Sequence, residues 1–138
     1  MTIRLIALDL DGTTIDKHGV VHPRTLAAVA AAQKAGITVM LVTGRHHVTT
    51  KPYHFELDLS GPAICCNGTY VYDFAHDRVD VGDPLTKDEA HRLLALARRH
   101  GVHLLVYTTD AMTYEVENAH MRGLTGWGRG LPEAVRPK

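Results

Sequence analysis

The stretch Ile3-Arg4-Leu5-Ile6-Ala7-Leu8-Asp9-Leu10-Asp11-Gly12-Thr13 decides how the rest of the chain is read. Its first six residues are a short, mostly aliphatic run, the pattern of a buried strand, which we place at Ile3 to Asp9. Two carboxylates then stand two residues apart, followed at once by a glycine and a hydroxyl. An unpaired charge at the end of a core strand is costly to bury, so a cation is expected beside this pair.

Working outward, strands and helices alternate. A polar, turn-rich segment runs from Gly12 to His22, and Pro23 opens a helix at its first turn, where proline is tolerated. The alanine-rich stretch Leu26 to Ala35 propagates that helix and Gly36 stops it. A second strand covers Ile37 to Val42. A weaker helix runs from Arg45 to about Leu57, disturbed at Pro52, and a third strand covers Pro62 to Cys66. This order predicts a Rossmann-like α/β fold with a parallel sheet and right-handed crossovers.

The pattern then changes. Thr69 to Asp73 and Arg78 to Val81 alternate around a turn, as in a hairpin. Thr86 with Glu89 has the spacing of a capping box, opening a helix that ends at Gly101. On that helix Leu93, Leu94, Leu96 and Ala97 read as a core-facing stripe. Two short strands follow, Val102 to Tyr107 and Met112 to Val116. The glycine-rich tail from Arg122 carries no assignable element, and Trp127 within it reads as a packing residue.

Bulk properties narrow the classes. With 138 residues and 45% hydrophobic side chains, the chain is one domain or one and a fraction, long enough for a real core. A formal net charge of zero argues against nucleic acid or an anionic membrane as partner. No apolar run approaches the length of a membrane span and no leader pattern precedes the first strand, so the expected location is the cytoplasm. The two cysteines, Cys65 and Cys66, are adjacent and read as reduced strand residues. None of the ten histidines falls into a zinc-site spacing, and His46 and His47 read as surface residues of the second helix.

Ligands of open parallel sheets bind outside the carboxyl ends of the strands. All three apolar strands end in polar chemistry: Asp9 to Thr13, Thr43-Gly44-Arg45, and Asn67-Gly68. If the strands are parallel neighbours, these ends share one edge. A strand-end aspartate can attack phosphorus, and a hard cation such as Mg²⁺ would offset the repulsion between carboxylate and phosphate. Asp9 is the candidate nucleophile. Asp11 is the candidate acid and base, protonating the leaving alcohol and then deprotonating water. Gly12 lets the backbone approach the phosphate, and the Thr13 and Thr43 hydroxyls can hold its oxygens.

Asp9-Leu10-Asp11-Gly12-Thr13 after an apolar strand resembles the first motif of the haloacid dehalogenase (HAD) superfamily of phosphohydrolases, and Thr43-Gly44-Arg45 resembles its second. Asn67-Gly68 leading into a hairpin is similar to the Cof-type branch, whose members insert an α/β cap after the third strand. The stretches Val42 to Val48, Pro62 to Tyr70 and Asp110 to Glu115 resemble members acting on pyridoxal 5′-phosphate. The resemblance implies Asp9 as nucleophile and Asp11 as acid and base. It implies Mg²⁺ held by the Asp9 side chain and the Asp11 carbonyl. It also implies phosphate or substrate contacts from Gly12, Thr13, Thr43, Gly44, Arg45, Asn67 and Gly68. Pyridoxal 5′-phosphate becomes the favoured substrate, with sugar phosphates next. Thr14 stands where leucine is commoner, a difference expected to matter little.

Members of the family are about twice as long and carry a later lysine motif and acidic motif. Lys17, Lys34, Lys51, Lys87 and Lys138 do not follow an apolar strand at the right edge, and Gly82-Asp83 precedes a helix. The resemblance therefore implies that residues 1–82 are the N-terminal part of the core and 83–138 the first part of the cap. The remainder of cap and core would be absent from this chain. The first strand would then be an exposed edge, completed by a homo-oligomer contact or a complementing C-terminal segment. The expected partner is a small phosphorylated metabolite. Two alternatives remain open at this point: a sugar phosphomutase of the same superfamily, and a non-catalytic binding or phosphoacceptor module.

Overall fold

The computed structural model describes residues 2–124 and 135–137; Trp127 lies outside them. The chain divides into two compact units, Met1–Asp83 and Pro84–Lys138.

In the first unit, β1 (Leu5–Leu8) pairs in parallel with β2 (Thr38–Leu41), Leu5 opposite Thr38 and Leu8 opposite Leu41. The crossover between them is α1 (Pro23–Lys34), begun by the His22 Nδ1, which accepts from the Arg24 N–H, and by Pro23 at the first position. Val29 is its buried anchor, with Leu26 and Ala32 half-buried beside it, a spacing of three that keeps one face inward. Helix α2 (His47–Glu56) contains Pro52 and leads to β3 (Ala63–Cys65). A parallel bridge between Val42 and Ile64 sets β3 beside β2, so the three apolar strands are parallel neighbours. The sheet then turns antiparallel: β3 pairs with β4 (Tyr70–Asp73), which pairs with β5 (Arg78–Gly82).

The core of this unit gathers Leu10, Val29, Val39, Leu41, Tyr53, Ala63, Cys65 and Tyr72. The first strand departs from its expected burial. Leu5 is 51% exposed, Ala7 is exposed, and Ile6 and Leu8 are only half-buried. The reason is local: among the described residues β1 has a partner strand on one side only. Residues 12–22 fold back as a compact loop. Ile15 bridges Asp11 and Val21, and the Asp16 carboxylate accepts from the His18 and Val20 N–H groups at 2.8 and 2.9 Å.

In the second unit, α3 (Lys87–His100) starts on the expected capping box, Thr86 and Glu89 bonding reciprocally, and stops at Gly101 in the left-handed conformation. Strand β6 (Leu105–Tyr107) pairs antiparallel with β7 (Met112–Tyr114), and β7 pairs in parallel with β8 (Val135–Pro137). Helix α4 (Ala119–Leu124) lies between β7 and β8 in sequence; the tail thus holds elements that its glycine-rich sequence concealed. The leucine stripe of α3 is not core. Leu93 and Leu96 are 45% and 52% exposed, and no residue of α3 is buried. Among the described residues no helix is long and apolar enough to cross a membrane.

Candidate active site

Three loops leave the carboxyl ends of β1, β2 and β3, and hydrogen bonds join them. The Thr43 N–H donates to the Ile64 carbonyl at 2.9 Å, the Asn67 N–H to the Thr43 carbonyl at 3.1 Å, and the Cys66 N–H to the Arg45 carbonyl at 3.0 Å. The loop after β1 joins through side chains. Arg45 Nε donates to Asp11 Oδ2 at 2.8 Å and Arg45 Nη2 to Asp11 Oδ1 at 2.6 Å, a two-pronged grip on one carboxylate. The expected shared edge is therefore present.

Each site residue named from the sequence has a definite place. Asp9 is exposed on the rim, with the Thr13 hydroxyl at a long 3.4 Å from its Oδ2. Its carbonyl is held from below by the Thr14 hydroxyl at 2.6 Å. Thr14 is buried, so the position expected to matter little is a strut under the loop. Leu10 between the two aspartates is fully buried and its carbonyl accepts from the Thr14 and Ile15 N–H groups, which curls the backbone. Gly12 and Thr13 are exposed on that curl, and Gly12 has a φ of +74° that favours glycine.

Thr43 and Arg45 lie beneath the rim instead. Thr43 is buried and its Oγ1 accepts from the Arg45 N–H at 3.1 Å. The Arg45 side chain is 8% exposed against 57% for Asp11, and its guanidinium carbon stands 5.2 Å from the centre of the buried Tyr53 ring. Burial works against the Arg45 charge, but the paired Asp11 outweighs it and leaves the guanidinium pKa above its ordinary value. The cation expected beside the carboxylates is thus supplied, for Asp11, by the protein itself.

Gly44 and Asn67 touch. A Cβ at position 44 would stand 2.8 Å from Asn67 Oδ1, so glycine lets the Asn67 amide lie against this loop in its present direction. Cys66, Asn67 and Gly68 form the tight turn from β3 into β4, with φ values of +51°, +55° and +94°. Glycine and asparagine adopt this region readily, whereas a cysteine there stores strain on the order of 1–3 kcal/mol.

A polar network behind this turn was not legible in the sequence. His46 and His47, read as surface residues, are 1% and 6% exposed. His46 caps α2, its Nδ1 accepting from the Val48 N–H, and its carbonyl accepts from the Thr49 and Thr50 hydroxyls. His47 stacks flat on Tyr72 with ring centres 3.8 Å apart. The Tyr70 hydroxyl lies 2.9 Å from His47 Nδ1 and accepts from the His47 N–H and the Cys66 thiol. With those two donors placed, the Tyr70 hydroxyl still has its own proton to offer His47 Nδ1. The aromatic alternation of Tyr70 and Tyr72 was the one available signal that something flat must pack there.

The cysteines have no nucleophilic character. Burial pushes the Cys65 thiol up to about 12 and raises Cys66, against the opposing hydrogen bond that the Cys66 thiol makes to Tyr70. For a cation, the Asp9 carboxylate and the Asp11 main-chain oxygen belong to one exposed loop. Among the described residues no group of three histidine, cysteine, aspartate or glutamate side chains converges. An all-oxygen pair open to solvent suits Mg²⁺, which keeps several waters and takes few protein ligands.

A family model for haloacid dehalogenase-like hydrolases matches residues 6–126. Pyridoxal phosphate phosphatase YbhA of Escherichia coli is 42% identical over 99% of this chain and 50% of its own length. HMP-PP phosphatase of Serratia proteamaculans is 36% identical over 66% of this chain and 33% of its own. A haloacid dehalogenase-like hydrolase from Bacteroides thetaiotaomicron superposes with a TM-score of 0.82 at 20% identity, covering 99% of this chain and 51% of that one. The chain thus spans half or less of the length of the two named phosphatases. It belongs to the haloacid dehalogenase-like hydrolases.

Proposed function

We propose that this chain carries the nucleophile half of a phosphatase that hydrolyses small phosphate monoesters, with pyridoxal 5′-phosphate the favoured substrate. The observation that carries the reading is the joining of the three strand-end loops into one rim, with Asp9 exposed on it and Asp11 gripped beside it. The 42% identity to a pyridoxal phosphate phosphatase supports the substrate class.

An Asp9 oxygen attacks phosphorus, forming a P–O bond to the carboxylate while the bond to the ester oxygen breaks. Asp11 gives its proton to the departing alkoxide, so the alcohol leaves neutral. Asp11 then takes a proton from water as that water attacks the same phosphorus, the Asp9–phosphorus bond breaks, and inorganic phosphate leaves. The Thr13 hydroxyl, exposed beside Asp9, meets a phosphate oxygen at the rim, and Gly12 leaves the backbone there uncovered; the Gly12 and Thr13 N–H groups are spent on the Ile15 and Leu10 carbonyls. The buried Thr43, with its oxygen accepting from Arg45, keeps its own proton to donate. Mg²⁺, held by the Asp9 carboxylate and the Asp11 carbonyl, would neutralise charge between nucleophile and phosphate.

The test is phosphate release from pyridoxal 5′-phosphate and a panel of sugar phosphates with Mg²⁺, comparing the chain with Asp9→Asn. Loss of the nucleophile is expected to lower release by about 10³-fold or more. Because Asp9 is exposed, the unfolding free energy should stay within about 0.5 kcal/mol of the parent. Equal background in both proteins sinks the reading.

A further inference from the structure

The second-motif arginine faces away from the role that its neighbours suggest. Phosphate ligands are expected on the rim, yet Arg45 is nearly buried and spends two of its nitrogens on Asp11. Three further contacts fix it. Its N–H is held by Thr43 Oγ1, its carbonyl receives the Cys66 N–H, and its guanidinium lies over Tyr53, which is 2% exposed. Tyr53 is wedged in turn: a Cβ at Gly19 would stand 3.0 Å from its hydroxyl. Asp11, by contrast, sits on an exposed loop 34 residues away in sequence.

From this geometry we propose that Arg45 is a positioning residue for Asp11: it sets the direction of the acid and base carboxylate, and phosphate binding is left to the rim. The proposal rests on the phosphatase reading above. A carboxylate has about four lone-pair directions, and the arginine fork takes one from each oxygen, leaving the others for a proton in transit. A planar fork fixes the carboxylate plane as well as its place, which a lysine point charge cannot do. A carboxylate free to rotate on an exposed loop meets the leaving oxygen only part of the time, and misplacement by about 1 Å can cost on the order of 10²-fold in rate.

The consequence is a dependence on the leaving group. An alkyl phosphate needs a proton on its departing oxygen, whereas p-nitrophenolate leaves without one. If Arg45 serves Asp11, Arg45→Met behaves as a weaker Asp11→Asn. Read as single-turnover release of the alcohol, the step before water attacks, it loses on the order of 10²-fold on pyridoxal 5′-phosphate and less than about tenfold on p-nitrophenyl phosphate, with half-saturation nearly unchanged. Arg45→Lys recovers part of the loss. Equal losses on both substrates, or a raised half-saturation and weaker inhibition by inorganic phosphate, overturn the proposal in favour of a structural or phosphate-binding arginine.

A second measurement needs no turnover. Exchange of the Arg45 Nε–H with water, followed by NMR in the chain without ligand, should quicken on the order of tenfold in Asp11→Asn. An unchanged rate overturns the positioning. Absence of phosphate release from either substrate by the parent chain overturns the phosphatase reading instead, and the exchange rate then still decides whether Arg45 holds Asp11.

Discussion

The two units handle their apolar side chains differently. In Met1–Asp83, α1 and α2 turn Val29, Tyr53 and the Thr49–Thr50 pair inward, and the buried cluster runs from Leu10 under the rim to Phe74 at the end of β4. In Pro84–Lys138, α3 has the better-formed ends, with a capping box at one terminus and a left-handed glycine at the other, yet no buried residue. Its described buried cluster is Met112, Tyr114 and Met121, with Leu105 against it. Good caps make a helix; they do not supply a surface for it to lie on. The rim that carries Asp9, Asp11 and Asn67 is therefore built on the unit whose interior is filled.

Three measurements break or sharpen this contrast. The largest effect is expected in the core: Leu41→Ala, at a fully buried site in β2, should cost about 2–5 kcal/mol in urea unfolding. Leu96→Ala, at a half-exposed site in α3, should cost about 0.5 kcal/mol or less. Equal costs break the contrast.

Acid should act next, on the first unit. His54 is buried, its Nε2 lies 2.7 Å from the Gly61 carbonyl, and its Nδ1 has no partner among the described residues. Burial lowers its pKa, against the Gly61 hydrogen bond and the Asp73 charge. The unfolded chain, with an ordinary imidazole near 6.5, then binds more protons than the folded one. Stability held above that value is lost as pH falls through it. The unfolding midpoint should drop as pH falls below about 6.5, and His54→Gln should flatten the drop. The same slope in both proteins rules out His54 as its source.

The smallest effect belongs to α3. Thr86→Ala removes the cap and should cost about 1 kcal/mol, read as faster amide exchange in the first turns of the helix. If exchange there is already as fast in the parent, the cap is not what holds α3.

Local signals carried far in this chain. Pro23, Gly36, the Thr86–Glu89 spacing and the polar strand ends each depend on residues close in sequence, and each is found where the pattern places it. What escaped depends on distant partners. Nothing near Arg45 announces Asp11, and nothing near His47 announces Tyr72, because each pairing is created by the fold. The stripe on α3 shows the converse: its periodicity was legible, but periodicity names a face and not what covers it. Thr14 misled for a related reason, since a hydroxyl in place of an alkyl group reads as a loss until the Asp9 carbonyl is found above it.

The contact between Gly44 and Asn67 reaches beyond this molecule. A side chain at 44 and the amide at 67 in its present direction claim the same volume, so position 44 gains a β-carbon only after residue 67 yields. A lineage that acquires a β-carbon at 44 must first shorten or redirect the residue at 67, and one that enlarges 67 is bound to keep glycine at 44. The dependence runs one way across the second and third strand-end loops: a β-carbon at 44 should be found together with a shorter or redirected residue at 67, whereas glycine at 44 places no such limit on 67.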